Sequence, residues 1–294
     1  MFMKKLFGIL LILCGFGILI GSAVSSRLGG WWFGDKKSTH GITVDNVHEI
    51  RIDTTQNVAV IPENRQDVKV VLQGKGIDSA DLNMQKKGGE LTILVKPKWY
   101  LWLRPDNEIR LNVYVPARYD QNMAIHSLGG NLYFVGRASS QTMKLRELKV
   151  DMAAGNVDLK NLHVNRLETN SMAGNTLLEW VTAETANFHS SSGNVKLNHF
   201  SGSFHASLAL GNLEAQVDSV SGLIQADQVS GSMEVNLPQD SDFALKAQVN
   251  SGDIDCEFPC RKNREDWEVT ATATSKSGKN KIQLHNVSGN IHIY

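Results

Sequence analysis

The chain has 294 residues, enough for two modest domains or one elongated one. Its 30 Lys and Arg balance 30 Asp and Glu, so no charge excess argues for nucleic acid or an acidic lipid surface as partner. After the first thirty residues Val, Ile, Thr, Ser, Asn and Gly dominate, a composition of strands and tight turns.

Lys4 and Lys5 open the chain, and no charge follows from Leu6 to Ser26. Leu6–Val24 is long enough to cross a hydrocarbon core as a helix, so residues 1–27 are expected to form one transmembrane anchor, with the lysines on the inner side. A cleaved signal peptide could use Ser22-Ala23-Val24-Ser25, but its apolar region is usually shorter. A lipoprotein signal is set aside because Leu13, not a small residue, precedes Cys14. Trp31, Trp32 and Phe33 suit the head-group level of a membrane, within a linker placed at residues 28–45.

Residues 46–126 change to a period of two. Ile50 and Ile52, then Val58 and Val60, then Val68, Val70 and Leu72 alternate with polar neighbours, as do Leu91, Ile93 and Val95 and then Ile109, Leu111, Val113 and Val115. These predict half-buried strands of an antiparallel or sandwich-like lead-in. Lys98–Arg104 interrupts them with Trp99, Tyr100 and Trp102, either an interface-seeking loop or a hydrophobic plug over an open end of the fold.

Residues 127–294 are organised by a repeated glycine step. Ala-Gly-Asn or its variants place Gly130, Gly155, Gly174, Gly193, Gly211, Gly231 and Gly252 at intervals near twenty residues beyond the first gap. Such a drifting period predicts a β-solenoid, with stacked coils of about 19–20 residues and these glycines at the turns. After each step an apolar pair follows, Val157 and Leu159 in one coil and Val195 and Leu197 in another, with Asp158 or Lys196 between them. That alternation predicts one face in and one face out. Ser201-Gly202 and Ser221-Gly222 near the half-period suggest two main strands per coil, and Ile291 and Ile293 are expected to cap the stack.

The sequence E-I-R-I-D-T-T at Glu49–Thr55, N-V-A-V-I-P at Asn57–Pro62, E-I-R-L-N-V-Y-V-P at Glu108–Pro116 and the ladder of [SA]-G-[ND]-[VI] steps resemble the bacterial putative-adhesin family of unknown-function domains. With the anchor, they resemble in particular its LiaG-type members of Gram-positive envelope-stress operons. The resemblance implies an all-β solenoid held at the envelope and carries over no catalytic residues.

The sequence assembles no complete reactive constellation. His189 before Ser190–Ser192 lacks the strand-turn-helix context and G-x-S-x-G of a nucleophile elbow, so turn serines are the expectation. Asp151, Asp158, Asp218 and Asp227 are not expected to share one register, which weighs against a polysaccharide-acting enzyme. Cys256 and Cys260 form a C-x3-C pair that lacks two further zinc ligands nearby; they read as free thiols or, outside the cell, as a local disulfide. The expectation is therefore a non-enzymatic binding or scaffold module of the envelope stress response, single-pass and largely extracytoplasmic, without cofactor, metal or catalytic residues. Its expected partners are the membrane and envelope polymers or proteins, not nucleic acid. The alternatives are an enzyme on a β-helix and a structural spacer.

Overall fold

A computed structural model describes residues 37–75, 77, 80–97, 109–138 and 141–294. The expected anchor at residues 1–27 and Trp31, Trp32, Phe33, Trp99, Tyr100 and Trp102 lie outside the described residues. Among the described residues no helix is long and apolar enough to cross a membrane.

The described residues form one all-β unit. Its strands are β1 (Lys37–Thr43), β2 (Glu49–Thr54), β3 (Asn57–Glu63), β4 (Asp67–Gly74), β5 (Ala80–Lys87), β6 (Glu90–Pro97), β7 (Ile109–Pro116), β8 (Asn122–Ser127) and β9 (Leu132–Val135). They continue with β10 (Met143–Ala154), β11 (Val157–Ala173), β12 (Thr176–Ser192), β13 (Val195–Leu210), β14 (Leu213–Ser230) and β15 (Met233–Asn236). The series closes with β16 (Phe243–Ser251), β17 (Ile254–Cys256), β18 (Arg261–Glu265), β19 (Glu268–Ser275), β20 (Asn280–Ser288) and β21 (Ile291–Ile293). The central strands pair in parallel, β10 with β11, β11 with β12, β12 with β13 and β13 with β14, as the glycine period requires.

Each central coil bends more often than expected. In β11 the buried positions are Val157 and Leu159, then Leu162 and Val164, then Leu167, Thr169 and Ser171. Strict alternation slips between Leu159 and Leu162 and again between Val164 and Leu167, so a coil carries three inward-facing runs rather than two. The first slip is made by a left-handed residue at the same place in successive coils: Asn161 at φ 54°, Trp180 at φ 57° and His199 at φ 54°. Because none of these is glycine, the sequence period does not display this corner.

The inward side chains form columns along the stack. Leu91, Ile50, Met123, Leu148, Leu167, Ala186 and Phe204 occupy successive rungs of one column and are all buried. Phe188, Phe200 and Phe204 meet edge to face, with centroids 5.7–6.4 Å apart. Phe188 is accommodated because its column neighbours are the smaller Thr169 and Ala206.

Both ends of the stack depart from the sequence expectation. The lead-in strands are not a separate antiparallel layer: β2 pairs in parallel with β6 and β8, and β3 with β7 and β9. Their alternation is that of a coil lacking the glycine step, with Thr54 and Asn57 at its corner. At the other end the last two strands do not cap. β20 lies between β14 and β16, and β21 between β15 and β17, each pairing in parallel on both sides. Ile291 and Ile293 are fully buried as a result. The ends are instead closed by antiparallel strands: β5 on β6, β4 on β7 and β1 on β4 at one end, and β19 on β16 with β18 on β19 at the other. Beside β17, Cys256 and Cys260 form a disulfide, and Phe258 between them packs edge to face on Phe243 at 5.2 Å.

Candidate functional site

The glycine step builds the wall from which the site hangs. Gly155, Gly174, Gly193, Gly211 and Gly231 have φ between 115° and 140°. A Cβ on Gly174 would fall 2.0 Å from the carbonyl oxygen of Gly155, so backbone stacks directly on backbone here and only glycine fits. The asparagine after the glycine contributes a hydrogen bond rather than an unusual φ. The backbone N–H of Asn156 donates to Oδ1 of Asn131, that of Asn175 to Asn156, that of Asn194 to Asn175, and that of Asn212 to Asn194, at 2.8–3.0 Å. On the inner side, Ser190 Oγ donates to the carbonyl of Gly193, Gln228 Nε2 to that of Gly211 and Asn286 Nδ2 to that of Gly231. Buried polar residues therefore satisfy the carbonyls that the turn leaves open.

Gly130, Gly155, Gly174, Gly193, Gly211 and Gly231 stack in sequence order, but Gly252 does not stack on Gly231. Gly289 intervenes: a Cβ on Gly289 would meet the oxygen of Gly231, and one on Gly252 the oxygen of Gly289. The spacing of 21 between Gly231 and Gly252 thus is not a coil-to-coil step.

Immediately before the glycine corner lies an open groove of about 890 Å³, lined from β6, β2, β8, β10, β11, β12 and β13. Six strand spacings of about 4.8 Å make it roughly 29 Å long. One wall is an outward column four residues before each glycine. Asp53, His126, Asp151, Asn170, His189 and Ser207 are successive rungs, and the column continues beyond the groove to Asp227 and His285. Asp151 and Asp227 therefore share a register, while Asp158 and Asp218 lie on other runs, so the four together do not share one, as expected. The second wall, two residues before each glycine, is Leu128, Ala153, Met172, Ser191 and Ala209. Leu128, just past the end of β8, and Met172, on β11, are 73% and 66% exposed, high values for large apolar side chains.

The polar wall is internally bonded. His126 Nδ1 lies 2.8 Å from Asp151 Oδ2, and Asn170 Nδ2 donates to Asp151 Oδ1 at 2.6 Å and to Glu168 Oε1 at 2.8 Å. Lys149 Nζ reaches Glu168 at 3.0 Å, and Arg51 Nε reaches Asp53 at 3.0 Å. Hydrogen bonding by Asn170, then by Lys149, holds the Glu168 carboxyl below its ordinary range. Glu168 in turn raises the Lys149 ammonium, and the Asp53 hydrogen bond raises Arg51. His189, beside Ser190–Ser192, is one rung of this wall; the three serines are the last residues of β12 rather than turn residues, and Ser190 faces inward. Among the described residues no group of three His, Cys, Asp or Glu side chains is placed to hold a metal.

The outward residues after the glycine step, Asp158, Lys196 and Glu214, pair with their neighbours. Lys160 bridges Asp158 at 3.7 Å and Glu179 at 2.9 Å, and Lys196 meets Glu214 at 2.5 Å. The alternation after each glycine step points to Asp158 and Lys196 as outward residues and does not reveal the groove. The signal of the groove lies in the residues preceding each glycine: His126, Asp151, Asn170, His189, Ser207, Asp227 and His285 all stand at the same offset.

No curated protein matches the chain. Among solved structures, a putative adhesin from Bacteroides fragilis shares 16% identity with a TM-score of 0.53, covering 88% of this chain and 97% of that one. A putative adhesin from Parabacteroides distasonis shares 13% identity with a TM-score of 0.48, covering 88% and 97% respectively. At these identities the likeness to the first is one of fold. The family model described as Toastrack DUF4097 matches residues 47–294, a span that runs from the coil of β2 and β3 through the intercalated C-terminal strands, and the chain belongs to that family.

Proposed function

We propose that this chain is a non-enzymatic binding module of the cell envelope, and that the groove before the glycine corner holds an extended partner along the stack. The observation that carries this reading is the pairing of two unlike walls kept in register along the groove, one hydrogen-bonding from Asp53 to Ser207 and one apolar at Leu128, Ala153, Met172 and Ala209. The naming of the Bacteroides fragilis structure as a putative adhesin is consistent with it. Single-pass anchoring through residues 1–27, with the bulk of the chain extracytoplasmic, is part of the proposal. It is supported by the uncharged run from Leu6 to Ser26 and by the Cys256–Cys260 disulfide, which suits an oxidising compartment. A reporter fused at Tyr294 tests it, and a cytoplasmic readout would overturn it. The role in the envelope stress response rests on the LiaG-type resemblance alone; unchanged stress behaviour after deletion of residues 127–294 would remove it.

The binding reading is tested with full-length protein in lipid nanodiscs mixed with fragmented cell envelope. Cosedimentation is expected for the wild type and loss of it for Met172→Asp. Equal retention of both, with unchanged thermal stability, would leave only the spacer reading. The His126–Asp151 contact favours one rival, a polysaccharide-acting enzyme, because a carboxylate-oriented imidazole can serve as a base. Incubation with cell-wall glycans and mass spectrometry of the products decides that rival: cleavage that His126→Ala abolishes would replace the binding reading.

A further inference from the structure

The geometry points to an uncharged β-linked glycan, extended parallel to the stack, as the polymer that the groove takes; this deepens the binding reading above and rests on it. Four observations select the class.

Apart from Lys96 at its β6 end, the charged groups of the groove are already compensated. Asp53 is paired with Arg51, Asp151 with His126 and Asn170, and Glu168 with Lys149. A polyphosphate or a polycation would find no unpaired row of opposite charge, whereas a neutral polymer loses nothing by that arrangement.

The two walls match the two kinds of surface on a pyranose ring. Its C–H face is apolar and would lie on Leu128, Ala153 and Met172, and its hydroxyl edge would meet the opposite wall. His126 engages Asp151 through Nδ1, which leaves Nε2 to bond a hydroxyl, and His189 adds a further ring two rungs along from Asp151. An acyl chain fits worse. It would cover Asp151, Asn170 and His189 with hydrocarbon and replace none of the water they lose.

The repeat also fits. Coils succeed one another at about 4.8 Å, close to the advance of one unit in an extended β-linked pyranose chain. Successive sugars then meet successive rungs, and the groove of roughly 29 Å spans about six units. An α-linked chain, which curves, would leave the groove after two or three units. Finally, apart from Leu128 these wall residues stand on hydrogen-bonded strands rather than loops, so the ligand encounters a preformed surface.

The test titrates cellohexaose and chitohexaose into the full-length protein in nanodiscs by calorimetry, alongside the corresponding trimers, maltohexaose and polyphosphate. Saturable binding of at least one β-linked hexamer is expected, at least tenfold tighter than its trimer and than maltohexaose. Met172→Asp and Asn170→Ala should each weaken it tenfold or more, while Trp180→Ala, on another corner, should not. Lack of saturable binding by both β-linked hexamers, affinity indifferent to both groove variants, or tighter binding of polyphosphate would each overturn the glycan assignment. Should Met172→Asp lower the melting temperature, the hexamer-to-trimer ratio of the wild type carries the decision. Groove-dependent retention of envelope fragments without hexamer binding means that the ligand class is wrong and the binding module stands. Loss of both removes the two together.

Discussion

At the scale of single residues, Gly174 and Gly129 show how differently the same residue type is used. Gly174 sits at φ 129° with the Gly155 carbonyl 2.0 Å from where its Cβ would be, while a Cβ on Gly129 would meet nothing nearer than 3.7 Å. Gly174→Ala should therefore destabilise by more than about 3 kcal/mol, through strain and forced separation of two coils. Gly129→Ala should stay within about 1 kcal/mol. Urea denaturation of the two variants makes the comparison, and similar losses would contradict the stacked-corner account. The neighbouring asparagine is the subtler element. Its residue type was visible in five of the seven steps, but its role was not, because a side chain that accepts from the next coil's N–H acts across 19 residues of sequence. Asn175→Ala should cost about 1 kcal/mol, the net worth of one such hydrogen bond.

Charged residues at this scale give pH dependences of opposite sign. Glu168 titrates lower in the folded chain, so its contribution is present above the ordinary glutamate range and is lost as pH falls through its folded value. Lys149 titrates higher, so its contribution is complete below the ordinary lysine range and is lost as pH rises through its folded value. The bond between β10 and β11 thus operates across the whole neutral window, and Glu168→Gln should flatten the acid limb of a stability–pH profile without moving the neutral plateau by more than about 1 kcal/mol. Asp158 behaves oppositely to Glu168. Burial raises its carboxyl, and Oδ1 has no hydrogen-bond partner, so ionisation costs stability above its folded value. Asp158→Asn should be equal to or more stable than the wild type at pH 7, and that advantage should vanish as pH falls below the ordinary aspartate range.

At the scale of elements, the run between two glycine steps was legible and the order of the runs was not. Val157, Leu159, Leu167 and Thr169 declare their inward face by alternation, and the period assigns them to one coil. Nothing in a local pattern says that Ile291 and Ile293 stack between β15 and β17 rather than beyond β17, because all three strands alternate alike. The left-handed corner at Asn161, Trp180 and His199 was hidden for the converse reason: structurally equivalent residues with no shared residue type. Intercalation makes β21 the link between the last regular coil and the terminal one. Ile291→Asp, which inserts a charge at a fully buried position, should therefore release β16–β19 as well as β21. Hydrogen exchange is expected to show lost protection from residue 243 onward with β11–β13 retained; loss confined to residues 288–294 would mean that the terminal coil stands without its neighbour.

At the scale of the molecule, a solenoid is a nearly one-dimensional assembly in which each coil touches only its neighbours, so it is most easily opened from its ends. This one answers at both ends in the same manner. The chain lays down β2 and β3, goes out to the terminal coil of β6 and β7, and returns as β8 and β9 on the inner side; β16 and β17 are followed by β20 and β21 in the same sense. Each terminal coil is thus anchored by a coil that is distant in sequence but adjacent in space. Antiparallel strands then cover the outer edges, and the exposed β18 carries Arg261, Lys262 and Arg264, a charged rim that discourages edge-to-edge pairing. The Cys256–Cys260 disulfide pins Phe258 onto Phe243 at this end. Closing so short a loop contributes at most about 2 kcal/mol on a chain-entropy basis, and that contribution is local to the terminal coil. Cys256→Ser with Cys260→Ser should consequently reduce exchange protection in β16, β17 and β19 while leaving β11–β13 unchanged. Because the groove is drawn from β6 to β13, the double variant should also retain cell-envelope fragments as the wild type does. Parallel loss of protection across every coil would mean that the stack unfolds as one unit, and the separation between a locked end and an independent binding region would fall with it.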